Sequence, residues 1–121
     1  MEKPYEKFFV IGRRDLEPGL RSAQLGHAAV AFALAHKETL EQRWEGNLIL
    51  LEVDSLDALE TLYARLGAEG AAAFREPDLG GELTAIAVLS TPEARRATSS
   101  LPRAFRGTRV LRSGPGLARC G

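Results

Sequence analysis

Four short segments of the chain are dominated by apolar residues and are bounded by polar or glycine-rich stretches. Residues 8–12 and 48–53 are continuous apolar runs, which are typical of strands covered on both faces. Residues 71–75 form a third segment, and in residues 83–90 alternation gives way to an apolar run. The turn-forming residues 76–81 separate these last two segments. The pattern therefore predicts four strands.

Between and after these strands, apolar residues recur at helical spacing. Helices are predicted over about 21–35, 37–44 and 56–68, and a fourth begins at Pro92 behind the capping residue Thr91. The spacing in the first helix predicts a largely buried element. The residues expected on its apolar face are Ala23, His27, Val30 and Leu34, with Leu20, Ala28 and Phe32 widening that face.

The order of the predicted elements is β-α-α-β-α-β-β-α, which defines an α/β fold. Helical crossovers between strands imply parallel pairing, whereas the short connection between the last two strands implies an antiparallel pair. A four-stranded mixed sheet with helices on both faces follows, in a three-layer α/β/α arrangement. With 121 residues and no recognisable linker, the chain is expected to form a single domain over residues 1–121.

Composition narrows the class of protein. Cys120 is the only cysteine, so no disulfide can form within the chain, and no cysteine and histidine cluster has the spacing of a zinc site. The first residues lack the apolar core of a signal peptide, and no apolar run reaches the roughly 18 residues of a membrane helix. No glycine-rich nucleotide-binding motif occurs. We therefore expect a cytoplasmic protein without a membrane span, a metal site or a nucleotide cofactor.

Charge is unevenly distributed along the chain, although the formal net charge is zero. Residues 94–121 contain seven arginines and neither aspartate nor glutamate, so the preceding residues carry a matching negative excess. Such asymmetry favours either a polyanionic partner or an arginine-rich solubilising extension, and the charge pattern alone leaves both open.

Polar residues suited to chemistry cluster where the first strand passes into the first helix. Arg13, Asp15 and Arg21 lie in or next to the connecting loop, and Gln24 and His27 lie in the first turns of the predicted helix. This position commonly binds ligands in open α/β sheets, and backbone N–H groups at a helix start attract anions such as phosphate. A helix start also favours a neutral imidazole, which can accept a proton from water or orient a substrate. A half-buried histidine with satisfied hydrogen bonds is the alternative for His27.

Asp78 is a second candidate for chemistry. It lies in the turn between the last two strands, where a catalytic carboxylate can project. Pro77 and the glycines that follow equally suit an aspartate that satisfies local amides. The turn by itself leaves both roles open.

Two motifs stand in the first of these regions. Arg13-Arg14-Asp15-Leu16 follows the first strand, and Ala23-Gln24-Leu25-Gly26-His27-Ala28 lies in the helix after it. They resemble the Arg-x-Asp-Leu loop and the Ala-Gln-x-x-His-Ala helix start of the type 2, archaeal and eukaryotic, peptidyl-tRNA hydrolases. Later segments are also similar, including the strand that contains Thr84, and the resemblance covers about residues 7–101. Residues 103–121 form an arginine-rich C-terminal extension.

The resemblance implies a mixed α/β fold, often dimeric, that acts without a metal or organic cofactor. Water would cleave the ester between a peptide, or an N-blocked amino acid, and the 3′ ribose of tRNA. The partners would be peptidyl-tRNA and a second copy of the chain, and the C-terminal arginines would help to hold tRNA phosphates. His27 and Asp78 become the catalytic candidates. The substrate-binding candidates are Arg13, Asp15, Arg21, Gln24 and Thr84.

Two segments differ from the family pattern and keep other functions open. The loop over 17–22 is shorter than in the family and has no lysine, and the stretch over 75–81 is also shorter. A non-catalytic module that binds tRNA, another RNA or a protein is the alternative function. A small-molecule binder that uses a pocket at Arg13 and His27 is a third.

Overall fold

The computed structural model describes residues 6–105 and, within them, contains the four predicted strands and four predicted helices. The strands are β1 (Glu6–Arg13), β2 (Trp44–Val53), β3 (Ala72–Glu76) and β4 (Glu82–Leu89). The helices are α1 (Pro18–Ala35), α2 (Lys37–Arg43), α3 (Leu56–Leu66) and α4 (Pro92–Thr98). Short 3-10 turns at Gly67–Glu69 and Pro77–Leu79 precede β3 and β4. Cys120 and most of the arginine-rich extension lie outside the described residues.

The strands form one mixed sheet in the order β2-β1-β4-β3. β1 pairs parallel with β2 and antiparallel with β4, and β4 pairs antiparallel with β3. Side chains alternate along β1, so that Phe8 and Val10 pack against α1 while Phe9 and Ile11 pack against α3 and α4. The predicted three-layer α/β/α architecture is therefore confirmed.

Helix α1 turns a different face to the sheet than its sequence predicts. Leu25, Ala28 and Phe32 are buried against the sheet, whereas Val30 is 57% exposed and Leu34 is 81% exposed. The predicted face was right for Ala28 and Phe32 and wrong for the stripe of Ala23, His27, Val30 and Leu34. An alanine-rich helix is apolar on nearly every side, so the spacing of its small residues does not identify the buried face. Among residues 6–105, neither α1 nor any other helix has the length and hydrophobicity needed to cross a membrane.

Two element boundaries differ from the prediction and have clear local causes. Helix α1 begins at Pro18, because the Glu17 side chain caps it. Strand β2 begins at Trp44 rather than at residue 48. The Trp44 ring packs edge-on against Phe8, with 5.7 Å between centroids, and this contact holds the start of β2 beside β1.

Candidate functional site

A buried arginine closes the loop that follows β1. Arg13 is the last residue of β1, and its side chain is only 6% exposed. Its guanidinium donates two hydrogen bonds to Asp15, at 3.0 and 2.8 Å, and others to Glu82 at 2.8 Å and the Leu83 carbonyl at 3.1 Å. The hydrogen bonds from Arg13 hold the pKa of Asp15 below its ordinary value. Arg13 and Asp15 thus fix the loop against β4.

Arg21 holds the same loop from the side of α1. Its buried guanidinium donates to the Leu16 carbonyl at 2.9 and 3.2 Å and to the Arg14 carbonyl at 3.0 Å. It also pairs with the buried carboxylate of Glu52 at 3.1 Å. Arg21, expected to bind substrate, therefore already has protein partners. The side chain of Arg14 is 53% exposed and is the more accessible cation of this loop.

The N-terminus of α1 is occupied by the chain itself. The Glu17 carboxylate accepts hydrogen bonds from the N–H groups of Gly19 and Leu20, both at 3.0 Å. A carboxylate here interacts favourably with the helix dipole and takes up donors that a bound anion would need. Because α1 begins at Pro18, His27 lies in its third turn. The expected effect of a helix start on His27 therefore does not apply, since that effect is confined to the first turn.

Gln24 connects α1 to the last two strands through a chain of hydrogen bonds. Its side chain is buried, its amide nitrogen donates to Glu76 at 2.9 Å, and its amide oxygen accepts from the Thr84 hydroxyl at 2.6 Å. Since an ionised carboxylate only accepts hydrogen bonds, the amide nitrogen must face Glu76. The structure thus brings together two predicted site residues, Gln24 and Thr84, and adds Glu76 to them.

The imidazole of His27 lies on the surface beside this chain of hydrogen bonds. It stacks on the ring of Phe74, with 4.4 Å between the centroids and 20° between the planes. The residue is exposed, and no group among residues 6–105 forms a hydrogen bond with its ring. The alternative of a half-buried histidine with satisfied hydrogen bonds does not describe it, and both ring nitrogens remain available to a ligand or to water.

The carboxylate of Glu76 lies on the same face of β3 as Phe74, the residue on which His27 stacks. One oxygen accepts from Gln24, and the other accepts from the backbone N–H of Asp78 at 3.0 Å. The hydrogen bonds from the Asp78 amide and then from Gln24 hold the pKa of Glu76 below its ordinary value, so it is ionised at neutral pH. Sequence reasoning missed this residue. The available signal was alternation along β3, which places Glu76 on the same face as Phe74.

Asp78 itself lies in the exposed 3-10 turn between β3 and β4. Its backbone N–H donates a hydrogen bond to the Glu76 carboxylate. Within the described residues, the carboxylate of Asp78 itself has no hydrogen-bond partner. The structure therefore does not bring Asp78 into hydrogen-bonding contact with His27. The turn is closed by the Glu76 side chain and not by that of Asp78.

An apolar groove extends along α1 from His27. Its volume is about 530 Å³, and its lining is Ala23, Gly26, His27, Val30, Ala31, Leu34 and Phe74. The exposed stripe of α1 thus forms one wall of this groove. Among residues 6–105, no group of three histidine, cysteine, aspartate or glutamate side chains is placed to hold a metal ion.

Comparison with known proteins shows the fold and leaves the activity open. No protein-family model matches the chain, and no curated protein matches it in sequence. The structure is similar to that of a protein of unknown function from Agrobacterium tumefaciens strain C58, with a TM-score of 0.64. The similarity covers 81% of this chain and 96% of that one, at 11% sequence identity. At this identity the likeness concerns the fold alone.

Proposed function

We propose that the protein is a hydrolase of the type 2 peptidyl-tRNA hydrolase kind. Its substrate would be the ester between a peptide, or an N-blocked amino acid, and the 3′ ribose of tRNA. The observation that carries the proposal is the exposed imidazole of His27, stacked on Phe74, on the face of β3 that also carries the Glu76 carboxylate. The resemblance of the two surrounding motifs to that family supports the substrate class.

In the proposed mechanism, the neutral imidazole of His27 accepts a proton as water attacks the ester carbonyl carbon. The negative charge of Glu76 stabilises the imidazolium that forms. The bond between the carbonyl carbon and the ribose 3′ oxygen then breaks, and the imidazolium returns its proton to that leaving oxygen. Gln24 and Thr84 act as positioning residues, because Gln24 donates to Glu76, Thr84 donates to Gln24, and both side chains are buried.

The two ends of the substrate would meet different surfaces. The apolar groove along α1 suits the acyl part, because it begins at His27 and continues past Val30 to Leu34. The tRNA phosphates would meet the arginines after residue 94 and Arg14, which pairs with Glu52 and Asp54 but is half exposed, since Arg13 and Arg21 are buried within the loop. Such an enzyme would work in the cytoplasm, where tRNA is used, and a homodimer remains part of the proposal.

A second candidate function is a non-catalytic module that binds tRNA or a protein. It is favoured by the exposure of Val30 and Leu34, because apolar side chains that line an exposed groove mark binding surfaces in many soluble proteins. The absence of a lysine from the loop over 17–22 also favours a non-catalytic module.

Release of tRNA from N-acetyl-aminoacyl-tRNA distinguishes the two candidates. The wild-type chain is expected to hydrolyse the ester faster than buffer does. His27→Ala is expected to bind tRNA without hydrolysing the ester. If the wild-type protein binds tRNA but hydrolyses the ester no faster than buffer does, the hydrolase proposal fails and the binding module takes its place. Binding that is independent of salt concentration would argue against phosphate contacts.

A further inference from the structure

The exposed face of α1 is uncharged and largely apolar. After Arg21, the helix has no aspartate, glutamate, lysine or arginine. The large apolar side chains that are exposed among residues 6–105 are Val30, Leu34 and Leu48, and the first two lie on this face of α1. The other helices differ, because α2, α3 and α4 all present charged side chains to solvent. An uncharged helix face with an exposed valine and leucine is typical of a surface that another protein covers.

The spacing of the exposed residues indicates which partner this face fits. Ala23, His27, Val30 and Leu34 form the α1 seam, and they follow one another at intervals of four, three and four residues. This is the spacing of the a and d positions of a coiled coil, in which two helices pack along one seam. The sequence pattern predicts that the same residues are buried, whereas the single chain leaves them exposed. A second helix laid along the α1 seam would bury them.

The α1 seam matches a second copy of itself when a two-fold axis relates the copies and the two helices run antiparallel. In that arrangement Ala23 faces the partner's Leu34, and His27 faces the partner's Val30. Each small or flat side chain then meets a branched aliphatic one, so the two rows interdigitate. Parallel helices would instead pair alanine with alanine and leucine with leucine, which leaves a gap at one end. No charged side chain of the seam opposes the contact.

We propose that the chain self-associates through the α1 seam, with α1 packed antiparallel on α1 of a second copy. The helix has 18 residues and is therefore about 27 Å long. A contact strip of this length and about one helix diameter in width buries on the order of 1,000 Å² or less in total, which is the lower end for a specific interface. The dimer is therefore expected to be weak, with a Kd of about 10 µM, and to exchange with the monomer.

Self-association has a consequence for the site at His27. The α1 seam is also one wall of the apolar groove, so the partner's Leu34 would fill space that the proposed function assigns to the acyl group. The dimer and the bound substrate then exclude each other, and the rate of hydrolysis per molecule is expected to fall as the protein concentration passes the Kd. This consequence rests on the proposed function, whereas the association itself does not.

Sedimentation equilibrium of the full chain tests the association without any substrate. Between about 1 and about 300 µM, the wild type is expected to change from monomer to dimer. Val30→Glu and Leu34→Glu are expected to weaken the association about 10-fold or more, because each would bury an unpaired charge in the seam. Leu48→Glu is the matched control and should dimerise like wild type, since Leu48 is also exposed but lies on the other side of α1 from the groove. Urea unfolding shows whether all three variants fold.

Disulfide cross-linking tests the antiparallel register. Cys120, the only cysteine of the chain, is first replaced by serine. In that background, Ala23→Cys combined with Leu34→Cys is expected to give a covalent dimer on oxidation, because the antiparallel seam places these two positions opposite each other. Either substitution alone should leave the protein uncross-linked, since neither position faces itself across the two-fold axis.

Three results would overturn the proposal. They are a wild-type chain that stays monomeric up to about 300 µM, an association that Leu48→Glu abolishes and Leu34→Glu leaves intact, and cross-linking of the single variants but not of the double variant. A rate of hydrolysis per molecule that stays constant while the dimer fraction rises would overturn the closure of the site. A wild type that dimerises through the seam but hydrolyses no ester would support the association and refute the proposed function alone.

Discussion

The imidazole of His27 lies nearly flat against the ring of Phe74, with 4.4 Å between their centroids. His27 comes from the third turn of α1 and Phe74 from the edge strand β3, so this contact fixes the imidazole relative to the sheet. Glu76 lies two residues further along β3, on the same face as Phe74. The stack thus sets the position of the proposed base relative to its carboxylate.

Phe74→Leu is expected to lower kcat about 3- to 10-fold, because an aromatic stack contributes roughly 0.5–1.5 kcal/mol beyond the area that it buries. Leucine keeps an apolar side chain in place, so stability should fall by only about 1 kcal/mol. Rates of tRNA release and urea unfolding measure the two effects. Tyr63→Leu, on the other side of the sheet, is the matched control and should leave the rate unchanged. Full kcat in Phe74→Leu would show that the stack does not position His27.

Glu76→Gln and Asp78→Asn test which carboxylate serves His27. Glu76→Gln should reduce tRNA release roughly 10- to 100-fold, because it removes the charge that stabilises the imidazolium. Asp78→Asn should remain within about 2-fold of wild type, since it keeps the backbone N–H that Glu76 accepts. Matched rate measurements on both variants decide this. The reverse order of effects would restore Asp78 as the catalytic carboxylate.

Asp15 is expected to make the fold sensitive to acid. Arg13 lowers its pKa in the folded state, so the folded protein binds a proton at Asp15 less readily than the unfolded chain does. The resulting stabilisation is fully present above the unfolded pKa of about 3.9 and is lost as the pH falls through the lower folded value. Urea unfolding between pH 7 and pH 3 should therefore show a steeper acid loss in wild type than in Asp15→Asn. Parallel pH profiles for the two proteins would contradict this account.

The buried pair of Arg21 and Glu52 is expected to be essential for stability. Their side chains are 10% and 5% exposed, and Glu52→Leu would leave the Arg21 charge buried beside an apolar group. We expect a loss of about 3–5 kcal/mol in the free energy of unfolding, measured by urea denaturation. Glu60→Gln, which breaks an exposed pair with Arg75, is the control and should change stability little. Equal effects of the two substitutions would show that burial does not set the strength of these pairs.

The sheet could be predicted from the sequence because its strands have recognisable apolar patterns. The runs around Val10 and Leu51 are apolar on both faces, as a sheet covered by helices on both sides requires. Helix α1 carried a weaker signal, since alanines surround it and only large residues such as Leu25 and Phe32 distinguish its buried face.

The candidate site depended on contacts that local patterns do not encode. Gln24 meets Glu76 across 52 residues of chain, and that contact requires the register of β3 on β4. Arg13 and Arg21 were expected as ligand-binding residues from their type and position. Their hydrogen bonds to Asp15 and Glu52 depend on how the loop packs against the strands, which the sequence pattern does not specify.

Chemical rescue of His27 tests the central claim most directly, because its imidazole is exposed beside an open groove. Single-turnover release of tRNA from N-acetyl-aminoacyl-tRNA is compared in wild type, in His27→Ala, and in His27→Ala with added imidazole at constant pH. We predict a loss of about 10²- to 10⁴-fold in the variant and a partial recovery that rises with imidazole concentration. His27→Ala that releases tRNA as fast as wild type would contradict the account.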